Sequence, residues 1–578
     1  MAFRCLKCNG SMVFDIASQQ MKCKHCGSTC APQTFSVRDI ASPVATENHG
    51  TEPECPHCFA SLSEQERMGI FCPYCGGILP TESSVQTTAE EAKEAEELSV
   101  FLCQNCGAEL ESTEDSLIGL CPYCGGQSLV KNEGRSGNKV ERIIPFQITR
   151  EQCGELYRDY AGKVLYLPKD FRNSEHLQNF VGIYMPYYKY DVAFQDTTLS
   201  GTKTEEKTSY DLVHTFSIPV EIEGEYLKGA PFDGSKYLDD ELSRYLMPFD
   251  TTMEVEYHAA YLSGFYADAT TVSPDLYTSD ARAQAEKDVV GWIDGKVSEE
   301  HGIHLSSASK LGGTVTDHHS VLFPMWFLTW RKEKRVAYAV INGVSGKIVS
   351  DLPLDLRAFW LGCGKLIPVL FLLLELFFQP TPQLTSMISL GAALCMGAGI
   401  MLGTKTVYEK QMHMNDKGWK NGASADPTIK KKPSKKKKPP KQEKPLSDKT
   451  ITVMANIIVW GSVVILVPLM FLEDAGWNVF GWIMSVLTLL FTIFAAKKVF
   501  FWQSYIEQKE GGIAILILLL TVLVNSAVMI LSPASDLWYY AGDAICIVGL
   551  VASSFGMLRI YNVGTTRPLP KLFDRKEL

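Results

Sequence analysis

Hydrophobic positions divide the chain near residue 355. Before it they fall in short alternating or helical patterns; after it they form long unbroken runs. Six runs stand at 358–378, 384–403, 451–472, 479–496, 513–531 and 540–558. Each is close to the ~20 residues that an α-helix needs to cross a hydrocarbon core. They pair into three transmembrane hairpins, 358–403, 451–496 and 513–558, so the pattern predicts an all-α region of six spans. In the polar part, residues 280–299 show helical spacing, with Ala285, Val289, Trp292 and Ile293 on one side. Residues 321–330 and 336–349 read as strands, the second interrupted by the turn residues Asn342-Gly343 and Ser345-Gly346. The class expected for 140–355 is α+β with an antiparallel sheet. Its aromatic runs, Tyr184-Met185-Pro186-Tyr187-Tyr188-Lys189-Tyr190 and Pro324-Met325-Trp326-Phe327, read as core in preference to a binding groove.

Basic residues orient the spans. The short connections 379–383, 473–478 and 532–539 contain no Lys or Arg. The long ones carry Lys405, Lys410, Lys417, the run from Lys430 to Lys444, and Lys497, Lys498 and Lys509. A tail over 559–578 adds Arg567, Lys571, Arg575 and Lys576. The positive-inside rule then puts both termini in the cytoplasm, in a multi-pass cell-membrane protein. Trp477, Trp482, Trp538, Tyr539 and Tyr540 flank the outer tips as interface aromatics. The Lys-rich loop over 404–450 holds a low-complexity stretch at 430–441, and its Lys430–Lys444 run suits anionic lipid headgroups as a partner. Lys365, Glu375, Asn456, Asn525 and Asp543 are the polar residues within the runs, with Lys365 and Asp543 near enough to the ends to snorkel. Pro368 and Pro468 are candidate kinks, and Gly391, Gly397, Gly399 and Gly403 point to close helix packing. Packing is the preferred reading; a transporter or channel with a cytoplasmic regulatory half is the alternative.

Cysteine spacing carries the chemistry. Of 17 cysteines, twelve form six Cys-x-x-Cys pairs before residue 125. They make three sets: Cys5, Cys8, Cys23 and Cys26; Cys55, Cys58, Cys72 and Cys75; Cys103, Cys106, Cys121 and Cys124. The second pair of each set starts at 23, 72 and 121, a period of 49 residues. Two such turns place four sulfurs around a tetrahedral zinc and leave no open position, which predicts three structural Zn²⁺ sites in small β ribbons at 1–30, 53–80 and 100–130. Gly27, Gly76, Gly107 and Gly125 follow second cysteines, where a left-handed residue closes the turn; Asn9 and Phe59 stand in the other two places. Met12-Val13-Phe14 and Gly69-Ile70-Phe71 read as hairpin strands between the pairs. His25 and His57 read as bystanders and Cys30 as a spare thiol. The linkers 31–52 and 81–99, the latter acidic, suggest beads on a string. Free thiolates require a reducing compartment, which agrees with the cytoplasmic placement.

The formal net charge is −10, and four thiolates on each zinc add about −2 more per site. Such ribbons lack the basic face that phosphate backbones need, so nucleic acid is an unlikely partner; a membrane-anchored nucleic-acid-binding protein stays as an alternative. No Walker loop, Gly-x-Ser-x-Gly or His-Glu-x-x-His motif occurs, and no catalytic residue is nominated; a non-enzyme is expected. His301, His304 and Asp317-His318-His319 read as loop residues.

Five segments occur in order: Ile144-Pro145-Phe146 with Ile148-Thr149; Gly182-Ile183-Tyr184-Met185-Pro186-Tyr187-Tyr188; Ala260-Tyr261-Leu262-Ser263-Gly264-Phe265; Phe323-Pro324-Met325-Trp326; and Asn342-Gly343-Val344-Ser345-Gly346-Lys347-Ile348-Val349. Over residues 3–360 the chain resembles the bacterial zinc-ribbon membrane proteins of phage-shock and envelope-stress operons, encoded beside band-7 (SPFH) proteins. The resemblance implies a non-enzymatic membrane scaffold that docks an SPFH partner in membrane stress or membrane organisation. The chain departs from it in having three ribbons where relatives have two, and in its long membrane part, whose role the resemblance does not supply.

Overall fold

The computed structural model describes residues 3–34, 99–132, 140–422 and 474–568, except for residues 9, 107, 113–120, 127–128, 174–178, 196, 208–209, 222–224, 307–310, 333–334, 378–380 and 507–508. The middle four-cysteine set, the 451–472 run and the Lys430–Lys444 segment lie outside the described residues.

The first ribbon is a three-stranded meander of β1 (Met12–Asp15), β2 (Gln20–Cys23) and β3 (Thr29–Cys30). The third supplies β4 (Ser99–Cys103), β5 (Glu109–Ser112) and β6 (Leu129–Asn132). Next come β7 (Arg142–Ile143) and helix α1 (Arg150–Lys163), which starts at a capping box between Thr149 and Gln152. Strands β8 (Val181–Phe194), β9 (Thr197–Lys207), β10 (Tyr210–Val220) and β11 (Glu225–Asp233) follow, then helix α2 (Asp240–Leu246). After β12 (Val255–Glu256) and β13 (Tyr266–Asp268) comes helix α3 (Thr278–His301). The soluble part ends with β14 (His304–Leu305), β15 (Gly313–Lys332), β16 (Arg335–Asn342) and β17 (Ile348–Ser350).

The main sheet runs β12-β7-β15-β8-β13-β5-β4-β6, with β11 also on β8, and β16 on β15. Most pairs are antiparallel, as expected for the α+β class; β13 on β8 and β7 on β15 are parallel. The central pair is β8 and β15, which sets Trp326 opposite Gly182 and Met325 opposite Ile183. A Cβ on Gly182 would lie 2.6 Å from the Phe265 ring, so glycine is what lets that ring cover the strand.

Strand alternation sorts the aromatic runs onto two faces. Tyr184, Leu322, Trp326 and Leu328 face one core; Ile183, Met185, Tyr187, Phe323, Met325 and Phe327 face the other. Both faces are buried, which explains why β8 and the second half of β15 read as continuous apolar stretches and not as alternating ones. The aromatic runs are core and form no groove.

Each face is covered by a ribbon. Phe3, Met12, Phe14 and Met21 of the first ribbon join the core that holds Trp326, where α1 contributes Tyr157. Ser263 Oγ donates to the Met12 carbonyl at 2.8 Å, the Phe14 N–H donates to the Ser263 carbonyl, and Gln19 Nε2 donates to the Phe146 carbonyl at 2.7 Å. On the opposite face, Ala108, Leu110 and Tyr123 of the third ribbon pack with Met185 and Phe327, and β5 pairs with β13. The beads-on-a-string expectation does not hold for these two ribbons. A unit of about 30 residues buries too little apolar surface to be stable alone, and the sheet supplies the missing cover.

Other expectations shift in detail. The strand read at 321–330 extends over Gly313–Lys332, so Asp317, His318 and His319 lie in β15 and not in a loop. Trp292, read as part of the buried side of α3, is 48% exposed, and the Lys296 ammonium sits over its ring. The helix buries Ala281, Ala285, Val289 and Ile293 instead.

The membrane part contains α4 (Leu356–Phe377), α5 (Pro382–Gln411), the short α6 (Lys417–Gly422), α7 (Asp474–Gln503), α8 (Glu510–Leu531) and α9 (Asp536–Gly564). Among the described residues, four helices are long and apolar enough to cross a membrane: Pro382–Gln411, Val479–Gln503, Glu510–Leu531 and Asp536–Gly564. They pack as one bundle around Leu390, Ile400, Val499, Ile515, Leu518 and Val522. Gly397, Gly399 and Gly403 each stand against a side chain of another helix, whereas Gly391 meets none among the described residues. Lys365 is not near a helix end: it is the tenth of the 22 residues of α4. Tyr539 is buried in the bundle, while Trp538 and Tyr540 are exposed.

Helix α5 runs well past residue 403, and α9 leads into β18 (Arg567–Pro568), which pairs with β16 of the soluble sheet. Arg335 fastens this junction, donating to Thr566 Oγ1 at 2.7 Å, to the Val563 carbonyl at 2.7 Å and to the Thr566 carbonyl at 2.6 Å. Asn562 and the backbone of Leu354 exchange two hydrogen bonds, and Lys410 pairs with Asp351 at 3.2 Å. The soluble domain therefore sits at the end of the bundle that carries Lys405, Lys410 and Arg567.

Candidate metal centres

Eight of the twelve predicted ligands converge in two groups. The Sγ atoms of Cys5, Cys8, Cys23 and Cys26 lie within 4.8 Å of one another, and so do those of Cys103, Cys106, Cys121 and Cys124. The two Cys-x-x-Cys turns of each ribbon face each other. Cys5–Cys26 and Cys8–Cys23 are 3.6 and 3.5 Å apart in the first ribbon; Cys103–Cys124 and Cys106–Cys121 are 3.6 and 3.7 Å apart in the third. A tetrahedron with metal–sulfur bonds of about 2.3 Å has edges near 3.8 Å, so either group could hold a metal ion such as zinc. Cys55, Cys58, Cys72 and Cys75 lie outside the described residues.

Backbone hydrogen bonds shape the turns in the same way at both sites. The N–H of Cys23 reaches the Ser28 carbonyl, that of Cys121 reaches the Gly126 carbonyl, and Gly27 and Gly125 donate back to Cys23 and Cys121. Gly27 and Gly125 have φ of 73° and 63°, the left-handed conformation their place in the sequence predicts. The sequence reading missed Gly10 and Gly126. A Cβ on Gly10 would stand 3.2 Å from the sulfurs of both Cys8 and Cys23, and one on Gly126 would stand 3.2 Å from Cys124 Sγ. Their proximity to sulfur follows from the turn's three-dimensional path; the only linear signal is a glycine two residues beyond the second cysteine.

Electrostatics support a cation at each centre. Four thiolates this close repel one another, so without a cation they must share protons. In the first ribbon the Ser28 hydroxyl and the Lys7 N–H hold Cys5 down at about 6. Cys8 gains an N–H from Gly10 that lowers it, yet contact with Cys26 and Cys23 pushes it up to about 12. In the third ribbon the neighbouring sulfurs of Cys106 and Cys121 hold Cys103 far below the ordinary thiol range, and those of Cys103 and Cys106 hold Cys121 far above it. A bound divalent cation relieves this conflict by stabilising all four as thiolates. Four sulfurs fill a tetrahedral shell, so such an ion would brace the fold and offer no position to a substrate.

The surroundings differ. All four cysteines of the third ribbon are at most 2% exposed, whereas Cys8 and Cys26 of the first ribbon are open to solvent. Tyr338 and Thr329, on β16 and β15, donate to the carbonyls of Tyr123 and Pro122 inside the last Cys-x-x-Cys turn, which fixes that turn to the central strands. Cys30 and His25 belong to neither group, and His301, His304, His318 and His319 join no metal-ligand group among the described residues.

No family model matches the chain, and no solved structure matches it. A curated Bacillus subtilis protein, described as uncharacterized protein YdjG, is 23% identical over 314 residues, a stretch covering 52% of this chain and 90% of that protein.

Proposed function

We propose that the chain is a non-enzymatic, multi-pass membrane scaffold whose zinc-braced soluble domain docks a protein partner on the cytoplasmic face. In this reading six helices span the cell membrane, three zincs occupy the three cysteine sets, and a band-7 (SPFH) protein is the partner in membrane stress or membrane organisation. The observation that carries it is the way two four-sulfur cages brace opposite faces of one sheet that is itself joined to the last membrane helix. Such a construction would hold a rigid surface at the membrane. Free thiolates and the basic helix ends at the soluble domain both favour the cytoplasmic side.

The surface offered is the β10-β9-β14 sheet. Among the described residues strand β10 is an open edge, with Val213 56% and Phe216 38% exposed. Edge strands accept a partner's strand by main-chain hydrogen bonding. A photo-crosslinking residue at Thr215 of the full chain, in its own membrane, is expected to yield an adduct with a band-7 protein. Adducts that lack any such protein, from a chain that is folded and metal-loaded, would contradict the docking proposal.

A further inference from the structure

The turn that follows α1 leaves an apolar side chain uncovered beside the membrane helices. Leu165 is 75% exposed, whereas Leu167 is buried in the core that holds Trp326. Between them Tyr166 has a φ of 56°, a left-handed conformation that residues other than glycine seldom adopt. Its carbonyl accepts from the Asp355 N–H at 2.7 Å, and its ring lies edge-on to Phe359 of α4 at 5.4 Å. A Cβ on Gly362 would collide with the Tyr166 phenol, so a glycine in α4 is what admits the ring. Arg172 closes the turn by donating to the Val164 carbonyl at 2.8 Å. A single exposed leucine is ordinary on a protein surface. Here it stands at a tip that is fastened to a membrane helix.

The depth of that tip follows from α9. The helix has 29 residues, a length of about 44 Å against a hydrocarbon core of about 30 Å, so its ends project into the headgroup layers. At the end near the soluble domain, Arg559 and Tyr561 are exposed, as residues of that layer should be, and Phe555 lies one turn deeper. Trp360 of α4 stacks on Phe555 with ring centroids 4.4 Å apart. Phe359 and Gly362, which receive Tyr166, lie within two residues of Trp360. The Tyr166 ring and Leu165 therefore stand where headgroups give way to acyl chains. Lys163, Lys169 and Arg172 surround the tip and are exposed. Lys163 also pairs with Asp159 at 2.7 Å, but that pair is open to solvent and weak, and Asp170 is the acidic residue within the turn.

We propose that residues 164–167 seat the soluble domain on the bilayer surface. Leu165 enters the upper acyl region, the Tyr166 ring lies at the headgroup boundary, and Lys163, Lys169 and Arg172 meet lipid phosphates. The partner is the lipid itself, and the tip gives the domain a second attachment beside the Arg335 junction. The inference rests on the helices crossing a membrane and is independent of the docking of a protein partner.

A fluorescent non-canonical amino acid at position 165 tests this and leaves the cysteines untouched. The full chain is placed in nanodiscs of phosphatidylcholine and phosphatidylglycerol. The same probe at Leu490, exposed on α7, and at Val213, exposed on β10, supplies references for lipid and for water. Lipids with a nitroxide high on the acyl chain should quench position 165 more than lipids with a deep one, and aqueous iodide should quench it little. Position 213 should respond to iodide alone. Iodide quenching at 165 equal to that at 213, with lipid quenching kept at 490, would overturn the proposal. Loss of lipid quenching at 490 as well would overturn the membrane placement beneath it.

Discussion

Replacing Cys121 with serine is expected to remove the soluble domain and not one ribbon. Cys121 is fully buried, and its ribbon forms part of the wall over Met185, Phe323 and Phe327. A serine hydroxyl does not ionise to act as a ligand, so that centre's metal is lost. Structural zinc contributes an apparent ~10–16 kcal/mol at neutral pH, as much as or more than the net stability of about 5–15 kcal/mol of an ordinary domain. Loss of the ribbon would uncover the part of the sheet face where Leu110 and Tyr123 pack with Met185 and Phe327, leaving it to Leu246 and Phe249. Limited proteolysis of the variant in membranes should digest residues 140–350 while the bundle stays protected. Cys8→Ser, at the exposed edge of the first ribbon, should free that ribbon and uncover Tyr261 with a milder effect. Cys30→Ser should leave metal content unchanged. A Cys121→Ser protein that keeps a protease-resistant domain would show that the third ribbon is dispensable to the sheet.

The second large effect is expected at the junction with the membrane. Arg335→Ala removes three hydrogen bonds to the end of α9 and its following strand, leaving the Val563 and Thr566 carbonyls unserved. Hydrogen bonds from a charged donor are worth about 1.5–3 kcal/mol each and are not additive, so a loss of about 3 kcal/mol and a roughly hundredfold rise in the detached population follow. The variant should keep its metal and its soluble fold. Spin labels at the exposed positions Lys296 and Trp538 should report a broadened distance distribution in Arg335→Ala and a narrow one in the parent. Equal widths would mean that the remaining contacts, Asn562 with Leu354 and Lys410 with Asp351, hold the junction without Arg335.

Much of the local architecture can be read from spacing alone. Cys-x-x-Cys turns specify their own geometry within a few residues, and glycines with positive φ stand where the pattern puts them. Apolar runs of membrane length likewise carry their own signal, since burial in lipid demands it at every turn of helix. What escaped the linear pattern is how the modules meet. Phe14 against Tyr261 and Leu110 beside Met185 join segments far apart in the chain, and the ribbon residues involved look like ordinary strand residues. Asp543 was misread for the same reason. Distance from a helix end suggests snorkelling, but only the neighbours Thr385 and Asn525, from two other helices, reveal that the side chain points inward. Helix α5's extension beyond residue 403 was hidden because its last turns are mostly polar; there Val407 still packs in the bundle while Lys410 pairs with Asp351 of the soluble domain.

The claim beneath all of this is that sulfur-bound metal ions hold the ribbons against the sheet. Metal analysis of the full chain, purified from membranes without chelator, tests it most directly when combined with X-ray absorption at the metal edge. The account predicts three zincs per chain, each with four sulfur neighbours at about 2.3 Å. Fewer than two metal ions per chain, or cysteines recovered as disulfides from freshly isolated membranes, would contradict it.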